Sequence, residues 1–171
     1  VVISASHNPY HDNGIKIFRG DGFKLGDDVE AEIEGLILGK GSLSEASGKS
    51  VSPGRIRPVW DASDRYVQFL QKVVASAFRL DGLHVVLDCA NGATSPVAQP
   101  VFEGLGAKVT TICFEPNGTN INDGCGSEHL EKLAEVVVKA SADVGFGFDG
   151  DGDRVLSVDE RGEKVSGDRM L

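Results

Sequence analysis

Cysteine is scarce in this chain. Cys89, Cys113 and Cys125 are the only three in 171 residues, an odd number with no C-x-x-C spacing. That pattern indicates neither a disulfide framework nor a zinc site, and it fits a reducing cytoplasm. Positive charge is short as well, with 17 Lys plus Arg against 26 Asp plus Glu and a formal net charge of −9. Nucleic acids and anionic membrane surfaces both call for clustered positive charge, so neither is an expected partner. No apolar run approaches the roughly 20 residues that cross a bilayer. An initiator methionine, a signal peptide and a polar leader are missing too: the chain opens on Val1, Val2, Ile3 and Ser4, with the character of a strand already under way. At the other end residues 166–171 read as a helix start that stops within its first turn. The expectation is an interior piece of a longer protein.

What is present is ordinary globular material, 40% hydrophobic and 25% charged. A chain of this length buries roughly 70% of its unfolded surface, enough for a core without staples. Residues 1–4 and 14–19 are strand candidates on either side of a loop with Pro, His and Asn. Val29, Ile33, Leu36 and Ile37 recur at helical spacing over 27–38. Residues 39–59 lose periodicity and read as an exposed connection, with one edge strand near Ile56. A long helix then starts at Asp61 or Ser63, with Tyr66, Phe69, Leu70, Val73, Val74 and Phe78 on one face.

After it the pattern alternates. Strands at 83–88, 107–112 and 143–148 are separated by helices at 96–104 and 128–139, and a hairpin over 154–165 turns at Arg161 and Gly162. The fold class is therefore α/β, with mixed, mainly parallel sheets flanked by helices. Loops at the carboxyl ends of the strands are the default ligand sites.

One such loop is Asp149-Gly150-Asp151-Gly152-Asp153-Arg154. Alternate carboxylates in a tight turn can converge on one point. Two of them ~4 Å apart at an effective dielectric of ~20 repel by about 4 kcal/mol, so the trio must bind a cation or splay into water. All-oxygen ligands suit Mg²⁺ or Ca²⁺. The plainer alternative is an acidic turn with solvated aspartates. An EF-hand fits worse: Asp149, Asp151, Asp153 and Glu160 match its positions, but Arg154 stands where its glycine is required and the flanks are strand-like. Arg154 at the lip of the cluster suits an arriving phosphate. A second motif, Ser4-Ala5-Ser6-His7-Asn8-Pro9, is followed by Asn13, Gly14, Ile15 and Lys16. It holds the ingredients of a covalent phosphoryl carrier, although such a cluster often only makes a turn. His84, within a strand, reads as a packing or surface residue, and the three cysteines read as packing or loop thiols.

SASHNP with DNGIK, then DGDGDR in the same order along the chain, resembles the α-D-phosphohexomutase family. The resemblance covers essentially the whole chain, and a narrower match is carried by Asn120-Ile121-Asn122 and Cys125-Gly126-Ser127. It implies a phosphoserine at Ser6, with Asp149, Asp151 and Asp153 holding Mg²⁺ together with a phosphoserine oxygen. Lys16 would act as general acid/base or stabilise phosphate charge, His7 and Asn8 would shape the serine loop, and Arg154 would contact the transferring phosphoryl group. The implied substrate is a small phosphosugar, with glucosamine 6-phosphate and glucosamine 1-phosphate suggested by the narrower match, and glucose or glucosamine 1,6-bisphosphate as activator or intermediate. A mutase selective for mannose or glucose phosphates is the rival within the family. A non-catalytic divalent-cation or phosphosugar-binding module is the rival outside it. The resemblance also implies that 1–58 is the end of a first domain, 59–161 a second and 162–171 the start of a third. It allows a homodimer of the full-length protein, while this stretch by itself is expected to be inactive. His11 and Glu128 depart from the residues expected there.

Overall fold

The computed structural model describes residues 1–39, 54–74 and 78–170. They divide into two compact units, one of Val1–Val2 with Ile15–Val59 and the other of Ile3–Gly14 with Trp60–Leu171. Strand β1 (Val2–Ser4) pairs with β2 (Gly14–Lys16). β2 is shorter than the strand expected over 14–19, and the chain turns back so that Phe18 bridges Lys24. Helix α1 (Asp27–Ile37) opens on an acidic first turn, which favours a helix amino terminus. Of its expected apolar stripe, Ile33 and Leu36 are half-buried and Val29 and Ile37 are exposed.

Most of the expected connection over 39–59 lies outside the described residues. Ile56 is described, and it belongs to no strand and is 97% exposed. No edge strand forms over the described residues 54–59, where Pro58 has no N–H to give to a ladder.

The second unit is organised by five strands in the order β4-β3-β5-β6-β7. They are β3 (His84–Asp88), β4 (Lys108–Ile112), β5 (Val144–Phe148), β6 (Val155–Asp159) and β7 (Lys164–Val165). β3 runs parallel to both β4 and β5, and β6 and β7 add antiparallel hairpins at one side. Alternation along β3 divides the core into two layers. Val86 faces Leu133 and Val137 of α4 (Glu131–Ala140), while Val85 and Leu87 face Ala98 and Phe102 of α3 (Ala98–Gly104). The VGFGF sequence of β5 serves both layers. Phe146 and Phe148 pack on the α3 side, and Gly145 lies where an added Cβ would strike Val137, Val158 and Leu133. Cys89 is fully buried in the α3 layer, where burial pushes its thiol up to about 11. His84 bonds Thr110 Oγ1 across the sheet at 2.9 Å, a structural role.

Three local expectations are corrected. Helix α2 (Ala62–Val74) does not bury its aromatic stripe: Tyr66 and Phe69 stack on each other in the open at 6.3 Å between centroids, and Val67, Leu70 and Val74 pack against Val101 and Leu105. Both stripes have helical spacing, and the aliphatic one fits the narrow contact with short α3. Its expected continuation over 75–77 lies outside the described residues. α3 starts at Ala98 rather than Pro96, because the Thr94 carbonyl takes the amides of both Val97 and Ala98 in a preceding turn. α4 starts at Glu131, after a separate 3₁₀ turn at Gly126–Glu128 that ends at His129.

Order reverses beside β3, since the chain leaves it for β4 on one side and returns to β5 on the other. The carboxyl ends of β3, β4 and β5 therefore frame the crevice where ligands bind in open α/β sheets.

Candidate active site

At the end of β5 the chain makes the tight turn of the β5–β6 hairpin. Asp149 N–H donates to the Arg154 carbonyl at 3.3 Å, and Gly152 N–H donates to the Asp149 carbonyl at 3.1 Å. Antiparallel strands on both flanks exclude the paired helices of an EF-hand. The turn gathers one carboxylate oxygen each from Asp149, Asp151 and Asp153 within 4.8 Å of one another. Asp149 is 1% exposed, and its Oδ2 has no hydrogen-bond partner among the described residues. Burial, followed by the charges of Asp151 and Asp153, raises its carboxyl above the ordinary range, and the Arg154 amide on Oδ1 at 3.1 Å opposes the shift. An orphaned buried oxygen beside two more carboxylates is a donor set that fits a hard divalent cation.

The serine loop sits on this turn. Ser4 Oγ–H donates to Asp151 Oδ2 at 3.0 Å and accepts the Ser6 amide at 2.9 Å, so one hydroxyl ties the backbone of Ser6 to the acidic trio. Gly150 lies under the loop: an added Cβ would strike the Ser6 carbonyl oxygen, Asn122 and Ile121. Asn122 closes the arrangement from the β4–α4 connection, its Nδ2 donating to the Ser6 and Asn8 carbonyls at 2.8 Å each. Asn122 itself has φ +57, a left-handed conformation that asparagine tolerates better than most side chains. Ser6 also has a positive φ, +52, and such strain costs about 1–3 kcal/mol and persists only where neighbours over-determine it. Its Oγ is 3.3 Å from His7 Nδ1.

The second unit thus brings together Ser6, His7, Asn8, Asp149, Asp151, Asp153 and Arg154. The Arg154 guanidinium lies 3.6 Å from the Glu128 carboxylate, both about half exposed. Lys16 belongs to the first unit, at the end of β2, where it is exposed. Sequence reasoning gave no role to Ser4 or to Asn122. The available signals were the serine two residues before Ser6 and a short polar side chain in an Asn- and Gly-rich loop.

Asn122→Ala should cost about 1–3 kcal/mol, because two net hydrogen bonds are lost and alanine is less comfortable at positive φ. Urea titration of the intact protein checks it. A cost under about 0.5 kcal/mol would mean that the clamp contributes little.

Family models match both units: "Phosphoglucomutase/phosphomannomutase, alpha/beta/alpha domain I" over residues 1–43 and "alpha/beta/alpha domain II" over residues 64–162. The chain belongs to the phosphoglucomutase/phosphomannomutase family. Among its curated relatives, phosphoglucosamine mutases of Desulfotalea psychrophila and Pseudomonas aeruginosa are each 52% identical over all 171 residues. That of Shouchella clausii is 49% identical over the same length. The chain spans 37–38% of the length of these relatives. Two solved phosphohexomutases share the fold. A phosphoglucomutase/phosphomannomutase family protein of Burkholderia thailandensis superposes with a TM-score of 0.71 at 28% identity, covering 99% of this chain and 35% of that one. Aspergillus fumigatus N-acetylphosphoglucosamine mutase, solved with GlcNAc-6P and magnesium, gives 0.58 at 18% identity, over 95% of this chain and 44% of that one. Among the described residues no helix is long and apolar enough to cross a membrane.

Proposed function

We propose that the chain is the catalytic-serine and metal-loop portion of a phosphoglucosamine mutase, interconverting glucosamine 6-phosphate and glucosamine 1-phosphate. The observation that carries the reading is the Ser4 hydroxyl, which joins Asp151 to the Ser6 amide and so keeps the reactive loop against the acidic turn. The narrower assignment is supported by relatives about half identical across the whole chain that bear that name.

In this reading phosphorylated Ser6 gives its phosphoryl group to the free hydroxyl of the bound sugar phosphate. The Oγ–P bond breaks, an O–P bond to the sugar forms, and the proton lost by that hydroxyl goes to a base, for which Lys16 is the candidate. The resulting 1,6-bisphosphate turns around and returns its other phosphate to Ser6. Asp149, Asp151 and Asp153 would hold Mg²⁺, which when bound offsets the charge on the transferring group. Asn122 and Ser4 fix the strained Ser6 backbone so that little reorganisation accompanies transfer. Arg154, with a solvent-exposed partner in Glu128, can exchange that weak pairing for a phosphate oxygen. Residues 1–58, 59–161 and 162–171 are read as the end of one domain, a second domain and the start of a third. The substrate-selecting groups lie in the remainder of the molecule.

The test is a comparison of substrates with the intact protein. Glucosamine 1-phosphate should be converted with a kcat/KM at least about tenfold above that of mannose 1-phosphate or glucose 1-phosphate. The reverse order would make the protein a hexose phosphate mutase of the same family.

A further inference from the structure

A second cluster of ligating groups lies in the same unit and takes no part in the chemistry above. Asp88 ends β3, Cys113 follows β4 and Cys125 precedes the 3₁₀ turn, and one donor atom from each lies within 4.8 Å of the others. Asp88 is 0% exposed and Cys125 is 1% exposed. Asp88 Oδ1 accepts the Ala90 amide at 2.9 Å, and the Gly126 amide and Cys113 thiol also act on the carboxylate, but Oδ2 makes no hydrogen bond of good geometry among the described residues. A buried carboxylate oxygen without a donor costs about 1–3 kcal/mol unless something else satisfies it. Cys113 is half-buried and gives the cluster an opening toward solvent. Lys132 of α4 places Nζ 3.3 Å from Cys113 Sγ.

We infer that Asp88, Cys113 and Cys125 form a binding site for a thiophilic divalent cation of the Zn²⁺ class, separate from the acidic turn. Donor chemistry selects the class. Two sulfurs with one carboxylate suit a borderline-soft ion, whereas Mg²⁺ and Ca²⁺ take oxygen. Size agrees, because tetrahedral zinc with bonds of about 2.3 Å to sulfur and 2.0 Å to oxygen sets its ligands about 3.5–3.8 Å apart, and the three donor atoms already lie within 4.8 Å of one another. Charge agrees as well: two thiolates and a carboxylate exceed a dication by one negative charge, and the Lys132 ammonium beside Cys113 offsets it. Three protein ligands leave a fourth position for water or an external donor on the Cys113 side. The sequence concealed this site because the ligands stand at a strand end and on two stretches of loop, far from any C-x-x-C spacing.

Cobalt(II) is the probe. Intact protein, reduced and stripped of metal, should show thiolate-to-cobalt charge-transfer absorption that saturates with one Co²⁺ at this site, any Co²⁺ held by the all-oxygen acidic turn adding no such band, and Zn²⁺ should bleach it. Cys113→Ser, at the half-exposed position least able to disturb the fold, should abolish most of the band and weaken binding roughly 100-fold. Asp88→Asn should weaken it by about tenfold or more while keeping the sulfur band. Asp151→Asn should leave the sulfur band and the affinity read from that band untouched, which separates this site from the acidic turn. The inference is overturned if reduced wild type shows no charge-transfer band, or if the band survives in well-folded Cys113→Ser. It is equally overturned if the protein isolated without reductant holds a Cys113–Cys125 disulfide and its reduced form binds no cobalt.

Discussion

Incubated with glucose 1,6-bisphosphate, the intact wild-type protein should gain the mass of one phosphate, and Ser6→Ala should gain none. Turnover of the variant should fall by about 10³-fold or more, the scale seen when a covalent nucleophile is removed. The substitution is a clean one. Alanine keeps the Cβ that Ser6 already accommodates at φ +52, and both hydrogen bonds that seat the residue use its backbone, the amide to Ser4 and the carbonyl to Asn122. Only the Oγ approach to His7 is lost. Stability should therefore move by no more than about 1 kcal/mol, and a loss of labelling in a protein that melts normally reports on chemistry rather than folding. A wild type that stays unmodified would favour a binding module that keeps the loop without the transfer step.

Legibility along this chain followed the nature of the constraint. β3, with four fully buried residues in five, and β5, with alternating Gly and Phe, appear in the sequence because burial on both faces dictates their composition. The acidic turn was readable because repulsion among three carboxylates is a local property of DGDGDR. The face of α2 was not, since Tyr66 and Phe69 have the spacing of a core stripe and only the narrow seat offered by Val101 and Leu105 decides for Val67 and Leu70. The starts of α3 and α4 were set by turns at Thr94 and Gly126 that satisfy backbone amides before regular helix begins. Long-range contacts were hidden altogether. The bond from Ser4 to Asp151 spans 147 positions, and the clamp from Asn122 to Ser6 spans 116. No pattern within a window of sequence contains them. Motif order alone hinted that the two loops meet.

Asp151→Asn should act in opposite directions on the free and the metal-loaded protein. Three carboxylates with oxygens inside 4.8 Å repel one another, and a pair ~4 Å apart contributes about 4 kcal/mol at an effective dielectric of ~20. Neutralising one relieves part of that repulsion, so the variant without metal should unfold at a higher temperature than wild type without metal. The same change takes a full negative charge from a dication. Its loss exceeds the ~1.4 kcal/mol that makes a factor of ten, so titration calorimetry should find Mg²⁺ bound more than about tenfold more weakly. Added Mg²⁺ then raises the melting temperature of wild type and barely moves that of the variant, and the two curves cross as the cation is titrated in. Asparagine at 151 still offers an oxygen to the Ser4 hydroxyl, so the serine loop stays seated and the effect is electrostatic. An unchanged binding isotherm, with a variant no more stable than wild type in the absence of metal, would return the turn to a set of aspartates pointing into water.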